Sequence, residues 1–325
     1  MIEAILLSLA GLVGLAVGGE LLVRGAVAIA NRLGLSTLFT GLVIVGLATS
    51  MPEMVASVQA SLAGSPEIAW GNIVGSNLAN TLLILGACAM VAPIALGGGG
   101  RRDAVFALAA TLLLWALALS GFGARWIGLV LLIGIVGYIA WRYIWPGGAN
   151  PEDNIDEPRS NLATAIILFV AGVGILVLGG DALVTGAISL ATIFKVPETV
   201  IGLTVVAVGT SLPELAASIA AALRGKSSLA LGNVVGSNIY NILLIGGATM
   251  MIAPVPLPSE LAGIQMALLT ASAAGLLALM WFADKIGRGL GAILLVAFVA
   301  NVLFVFADSP DPVSEELDIT RPAES

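Results

Sequence analysis

Ten apolar runs, most of them near twenty residues long, follow one another along the chain, and that succession leaves few folds open. They lie near 2–23, 37–62, 68–92, 103–120, 125–145, 162–183, 198–223, 229–252, 260–283 and 289–306. A hydrocarbon core of about 30 Å is crossed by roughly twenty residues of helix. The runs lack the two-residue alternation of a barrel strand, so helix is the form that satisfies their backbone groups in lipid. Composition agrees: 59% of residues are hydrophobic and 10% charged, with mean hydropathy +1.07. A soluble domain carries about a quarter charged residues. The expected fold class is an all-α polytopic membrane protein with ten transmembrane helices.

Basic residues orient it. With the N-terminus outside, the inner loops hold Arg24, Arg32, Arg101, Arg102, Arg142, Arg159, Arg224, Lys226, Lys285 and Arg288. The outer side keeps Arg125, Lys195 and Arg321, so the positive-inside rule places both termini outside a cell membrane. Glu3 and the lack of a basic leader argue against a secretory signal. The net charge of −7 sits largely in a linker, 146–161, and an acidic tail, 307–325, both read as solvated. About fifteen linker residues are too few for a folded regulatory domain. A basic nucleic-acid footprint is absent, and no obligate protein partner is evident. Cys88 stands alone and there is no histidine, which excludes a disulfide framework and imidazole metal sites.

The chain also repeats itself. Shifted by 161 residues, "GGELLVRGAVAIA" (18–30) falls on "GGDALVTGAISLA" (179–191). With no gap, "TSMPE" falls on "TSLPE", and "GNIVGSNLANTLLILG" (71–86) on "GNVVGSNIYNILLIGG" (232–247). Equivalent points are five spans apart. An odd number reverses the second copy, giving two inverted-topology five-helix repeats, 1–145 and 162–306, with motif regions 41–93 and 202–254. Duplicated packing would need only apolar residues, yet the costly polar ones match best.

Each copy sets a proline beside a glutamate inside an apolar run. Pro52 cannot donate to the Ala48 carbonyl, nor Pro213 to that of Gly209, and the loosened carbonyls need partners in a dry environment. Thr49 and Ser50 precede Glu53 by four and three residues and share its helical face; Thr210 and Ser211 stand likewise to Glu214. On the next span Asn72, Ser76 and Asn80 form one stripe, repeated by Asn233, Ser237 and Asn241. Broken helices 2, 3, 7 and 8 are therefore expected at the centre. Ser76, Asn80, Ser237 and Asn241 read as cation ligands; Asn77 and Asn238, off the stripe, read as interhelical glue. Oxygen is the donor that Ca²⁺, Na⁺ and Mg²⁺ prefer.

Two glutamates at bilayer depth cost about 5–7 kcal/mol together on insertion scales. Protonation would neutralise them, and so would one divalent ion. Two carboxylates balance one Ca²⁺ or two Na⁺, so exchange through a shared site with a third Na⁺ would move charge.

The paired "TSxPE" and "GN(I/V)VGSN" segments closely resemble the two alpha-repeats of the cation/Ca²⁺ exchanger superfamily, in its prokaryotic sodium/calcium branch. The resemblance implies alternating access, with inward Na⁺ expelling Ca²⁺ and no cofactor. It implies that Glu53 and Glu214 hold the divalent ion with the carbonyls of Thr49 and Thr210. Sodium sites would use Ser50, Ser76, Ser211 and Ser237 and the carbonyls near Gly46 and Ala207. It also implies that spans one and six slide past a rigid core. Their glycines (Gly11, Gly14, Gly18, Gly19; Gly172, Gly174, Gly179, Gly180) would give smooth contact surfaces. Some members carry aspartate where this chain has Asn241, which argues here against K⁺ co-transport.

Glu20 and Asp181 match across the repeats; Glu20 pairs with Arg24 four residues on, and both acids read as structural or gating groups. Trp126, Trp141 and Trp145 read as interface anchors. Two readings compete with Na⁺/Ca²⁺ antiport: a divalent-cation exchanger driven by H⁺, and a cation channel. Channels build their rings by oligomeric symmetry, which an in-chain inverted repeat does not supply. With no histidine, catalysis of hydrolysis is the least supported.

Overall fold

A computed structural model describes residues 1–62, 64, 66–96, 100–145, 161–193 and 207–308. The linker, the start of the seventh apolar run and most of the acidic tail lie outside the described residues, as does Lys195. Long helices follow from sequences rich in Leu, Ala and Val that keep proline out of helix interiors. They are α1 (Ile2–Leu33), α2 (Thr37–Thr49), α3 (Met51–Leu62), α4 (Ile68–Val91), α5 (Arg101–Ser120) and α6 (Arg125–Ile144). The second half has α7 (Leu162–Ile193), α8 (Ala207–Thr210), α9 (Leu212–Leu223), α10 (Ser227–Ile252), α11 (Ile264–Phe282) and α12 (Arg288–Asp308). Among the described residues eight helices are long and apolar enough to cross a membrane, or nine if the bent pair α2–α3 is one span.

Two helices outrun their apolar stretches. Helix α1 continues to Leu33, ten residues past Val23, and stops at Gly34, whose φ of 67° is the left-handed conformation glycine adopts without strain. Helix α7 runs on to Ile193. Charge ends an apolar run but not a helix, because long side chains such as Arg24 reach toward the interface from a helical backbone.

The breaks differ from expectation. Helices α2 and α3 meet at Ser50 with a bend of 43°. Ser50 has φ −80°, ψ 5°, and Ser211, between α8 and α9, has φ −89°, ψ 6°. Each proline is then the second residue of the following helix, where a missing N–H breaks no hydrogen bond. The third and eighth spans, expected to break as well, are continuous. Each passes through a π-helical turn instead, Ala79–Ile84 in α4 and Asn241–Ile245 in α10. A π turn takes in an extra residue and rotates the following face without severing the helix.

The polar spans are central. Of the most apolar stretch of α10 94% is buried, and of α4 78%, against 22% for α7 and 6% for α12. Glycines let backbones approach. On α2, Gly41 abuts the Leu229 carbonyl of α10, while Gly236 of α10 abuts Leu42, so these two run parallel. Helices α1 and α7 run antiparallel: Gly11, Gly18 and Gly25 lie against Leu183, Leu176 and Phe169. Their repeat counterparts Gly172, Gly179 and Gly186 lie against Leu22, Leu15 and Ser8. The glycines of α1 thus bind it to α7 rather than smoothing its contact with the core. Only Gly19 of the expected α1 set faces the bundle, against Ala216 of α9.

Short strands β1 (Ile94–Ala95) and β2 (Lys285–Ile286) pair antiparallel and tie the loop after α4 to the loop before α12. Arg142, counted above as a loop charge, is buried. Its Nε lies 2.8 Å from Asp103 Oδ1, which also accepts a hydrogen bond from Tyr138 at 2.9 Å. Lys226 is buried too. Trp126 and Trp145 are exposed, and Trp141 is part-buried.

Candidate ion-binding site

At the two breaks the chain places a serine, then a proline, then a glutamate in the first turn of a helix. The unpaired N–H groups of that turn and the helix dipole favour a negative side chain there. Both glutamates are fully enclosed, Glu53 at 2% exposure and Glu214 at 1%.

The two breaks interlock. Ser50 donates from Oγ to Glu214 Oε1 at 3.1 Å, and Ser211 donates to Glu53 Oε1 at 3.2 Å. Each carboxylate is therefore held by the serine of the other copy. The arrangement repeats one layer out. Asn72 Nδ2 donates to Ser57 Oγ at 2.9 Å and to the Glu53 carbonyl at 3.4 Å. Asn233 Nδ2 donates to Ser218 Oγ at 2.8 Å and to the Glu214 carbonyl at 3.3 Å. Sequence reasoning gave no role to Ser57 and Ser218, whose only signal was their own match at the 161-residue offset.

Among the described residues, five buried oxygens of the expected ligands lack a hydrogen-bond partner: Glu53 Oε2, Glu214 Oε2, Ser237 Oγ, Asn80 Oδ1 and Asn241 Oδ1; on the same helices Asn77 Oδ1 and Thr249 Oγ1 lack one as well. A buried polar group without a partner costs about 1–3 kcal/mol, and an ionised one more. The set is oxygen only, with no nitrogen or sulfur donor. No cluster of three or more acidic, histidine or cysteine side chains occurs among the described residues. Two carboxylates with neutral oxygens suit a hard cation of charge two or less.

Of the remaining expected residues, Ser76, Thr49 and Gly46 contact this centre. Ser76 Oγ lies 3.5 Å from Ser211 Oγ. Thr49 Oγ1 lies 3.2 Å from Asn233 Oδ1, across the repeats. The Gly46 carbonyl accepts from Ser50 N at 3.1 Å, and Gly46 itself packs beside Ser237. Ala207 opens and Thr210 closes the short helix before the second break.

Comparison with known proteins gives the family of the chain that carries this site. The family model described as "Sodium/calcium exchanger protein" matches residues 3–144 and 164–307. The chain belongs to the sodium/calcium exchanger family. Within that family it is 35% identical over 318 residues to a protein of Alkalimonas amylolytica, CaxA, that carries an antiporter's name; the match covers 94% of this chain and 100% of that one. It is 31% identical over 342 residues to the sodium/calcium exchanger MaX1 of Methanosarcina acetivorans, covering 93% and 98%. Among solved structures, the sodium-calcium exchanger NCX_Mj superposes with TM-score 0.82 at 31% identity, covering 93% of this chain and 98% of that one. This exchanger-family chain is thus a multi-pass membrane protein of a cation/Ca²⁺ antiporter family, not of an enzyme class.

The exchanger-family chain corrects one assignment of glue. Asn238 does bridge the central spans, accepting from Asn80 Nδ2 at 3.0 Å and donating to Thr81 Oγ1 at 2.9 Å. Asn77 does not bridge: its Nδ2 donates to the Ile73 carbonyl of its own helix at 2.6 Å. The amide lies within reach of the carbonyl one turn back, so it needs no other helix. Glu20 is likewise more than an intrahelical partner of Arg24. It also accepts from Arg224, the residue that ends α9, at 2.8 and 3.0 Å.

Proposed function

We propose that this protein exchanges Na⁺ for Ca²⁺ across a cell membrane by alternating access at one shared midplane site. The observation that carries the reading is the crossed pair of glutamates, each held by the other copy's serine and each keeping one buried carboxylate oxygen unpartnered. Glu53 and Glu214 ligate Ca²⁺ with the carbonyls of Thr49 and Thr210. Ser50, Ser76, Ser211 and Ser237, with carbonyls near Gly46 and Ala207, serve Na⁺, and Asn80 and Asn241 complete the oxygen set. Each carboxylate is neutralised by either cargo, which makes occupation by the two mutually exclusive. The whole chain is read as two inverted five-helix repeats, 1–145 and 162–306, joined by the cytoplasmic segment 146–161, with both termini outside and a tail at 307–325. The similarity to MaX1 and NCX_Mj, both named as sodium/calcium exchangers, supports the choice of cargo.

Purified protein in liposomes provides the test. An outward-to-inward Na⁺ gradient should drive ⁴⁵Ca²⁺ movement in the opposite direction, and Glu53→Gln or Glu214→Gln should abolish it, each leaving one carboxylate against a divalent charge. Ca²⁺ flux that ignores Na⁺ and follows a pH gradient would establish proton coupling instead. Currents far above carrier turnover would establish a channel.

A further inference from the structure

A serine that ligates a cation must point lone pairs at it, so its proton has to go to some other acceptor. Groups that take up such duties fix the ligand's orientation and tune its affinity. Asn72 is built to do this for Ser76. Its amide nitrogen is spoken for, donating to Ser57 Oγ at 2.9 Å and to the Glu53 carbonyl at 3.4 Å. With the nitrogen fixed on those two acceptors, the amide oxygen has to face the other way. There it accepts from Ser76 Oγ at 3.4 Å, one helical turn along α4.

The second copy shows the same amide in another setting. Asn233 Nδ2 is anchored identically, on Ser218 Oγ at 2.8 Å and the Glu214 carbonyl at 3.3 Å. Its oxygen, however, faces Thr49 Oγ1 of the opposite repeat at 3.2 Å. Ser237, one turn along α10 and wholly buried, then keeps a hydroxyl without a partner among the described residues. Thr49 Oγ1 also lies 3.1 Å from the Val45 carbonyl of its own helix, and when its proton goes there the Asn233 oxygen is left for the hydroxyl of Ser237 to turn to.

We propose that Asn72 and Asn233 are positioning residues that take the hydroxyl proton of Ser76 and Ser237 and so aim those serines' lone pairs at the transported cation. The same amides hold the backbone carbonyl of each glutamate, so one side chain sets the orientation of two ligands. The proposal rests on the site reading above.

A thermodynamic cycle tests it. Na⁺ and Ca²⁺ binding to the purified full-length chain is measured by calorimetry for Asn72→Ala, Ser76→Ala and the double variant, with flux in liposomes and thermal unfolding alongside. If the asparagine acts through the serine, Asn72→Ala weakens binding about 10–100-fold, as Ser76→Ala does, and the double variant is no weaker than the worse single one. The Asn233 and Ser237 cycle should behave alike. Asn77→Ala, which removes a buried amide tied only to its own helix, controls for packing loss and should leave binding near wild type.

Losses that multiply in the double variant, or an Asn72→Ala protein that binds as wild type does, overturn the proposal. So does an Asn72→Ala loss matched by an equal one in Asn77→Ala. Because the cycle is read in binding and the exchange reaction in flux, the two fail separately. Wild type that binds both ions without Na⁺-driven flux overturns the exchange, and a flat cycle in an active exchanger overturns this inference.

Discussion

Asp103 and Arg142 show what a charge requires once lipid surrounds the fold. Both are buried, at 0% and 1% exposure, and they meet at 2.8 Å with Tyr138 adding a hydrogen bond to the same carboxylate. Removing one partner from a buried pair leaves an uncompensated charge and costs about 3–5 kcal/mol, whereas replacing both by apolar groups is often near neutral. Arg142→Leu is therefore expected to destabilise strongly, and Asp103→Leu combined with Arg142→Leu to recover most of the loss, as read by thermal unfolding in detergent. Nothing in the sequence announced this pair: Arg142 stands at the end of an apolar run, where positive-inside logic makes it a loop residue. Glu53 and Glu214 were legible for the opposite reason. An acid in mid-run beside a proline, doubled at a fixed offset, has no cheap structural excuse, so chemistry was visible before any contact was.

At the scale of elements, α1 and α7 are held together by glycines set seven residues apart: Gly11, Gly18 and Gly25 on one, Gly172, Gly179 and Gly186 on the other. Between lipid-bathed helices there is no hydrophobic drive, and close backbone approach supplies the packing instead. A Cβ at Gly18 would lie 2.7 Å from the Leu176 backbone nitrogen, an atom that moves only if the helices part. Gly18→Val should thus separate the pair, lowering stability by about 1–3 kcal/mol as overpacking does. A cysteine cross-link placed between α1 and α7 should form more slowly in that variant. Gly174→Ala, with nothing within 4 Å of the added carbon, should change neither reading. Glycine-rich spans were plain in the sequence, but which face they served was not: composition tells that two surfaces come close, and only the partner's register tells which two. The π turns of α4 and α10 were illegible for a related reason. No residue type marks them, since they arise where the preceding and following halves must present different faces to different neighbours.

For the whole molecule the question is what distinguishes its two sides, given a site whose contacts are nearly symmetric. The Glu20 cluster is such a difference. Glu20 on α1 accepts from Arg224 at the end of α9 at 2.8 Å, and from Arg24 at 2.7 Å. The 161-residue offset carries Glu20 to Asp181, but it carries Arg24 to Thr185 and Arg224 back to Ala63, so the cations exist on one side only. The link ties the α1–α7 pair to the bundle at a single end. It is partly exposed, 37% for Glu20 and 21% for Arg224, so solvent screening limits it to about 1 kcal/mol or less. A coupling of that size moves a two-state balance by up to about fivefold. If the pair moves against the bundle during transport, Glu20→Gln should shift the balance toward the state in which that end is open. Apparent Ca²⁺ affinity would then change in opposite directions on the two faces, read by comparing right-side-out with inside-out vesicles. Raising ionic strength on wild type should reproduce part of the shift, because salt weakens an exposed pair and leaves the buried glutamates untouched. Equal changes on both faces would assign the Glu20 link to stability alone.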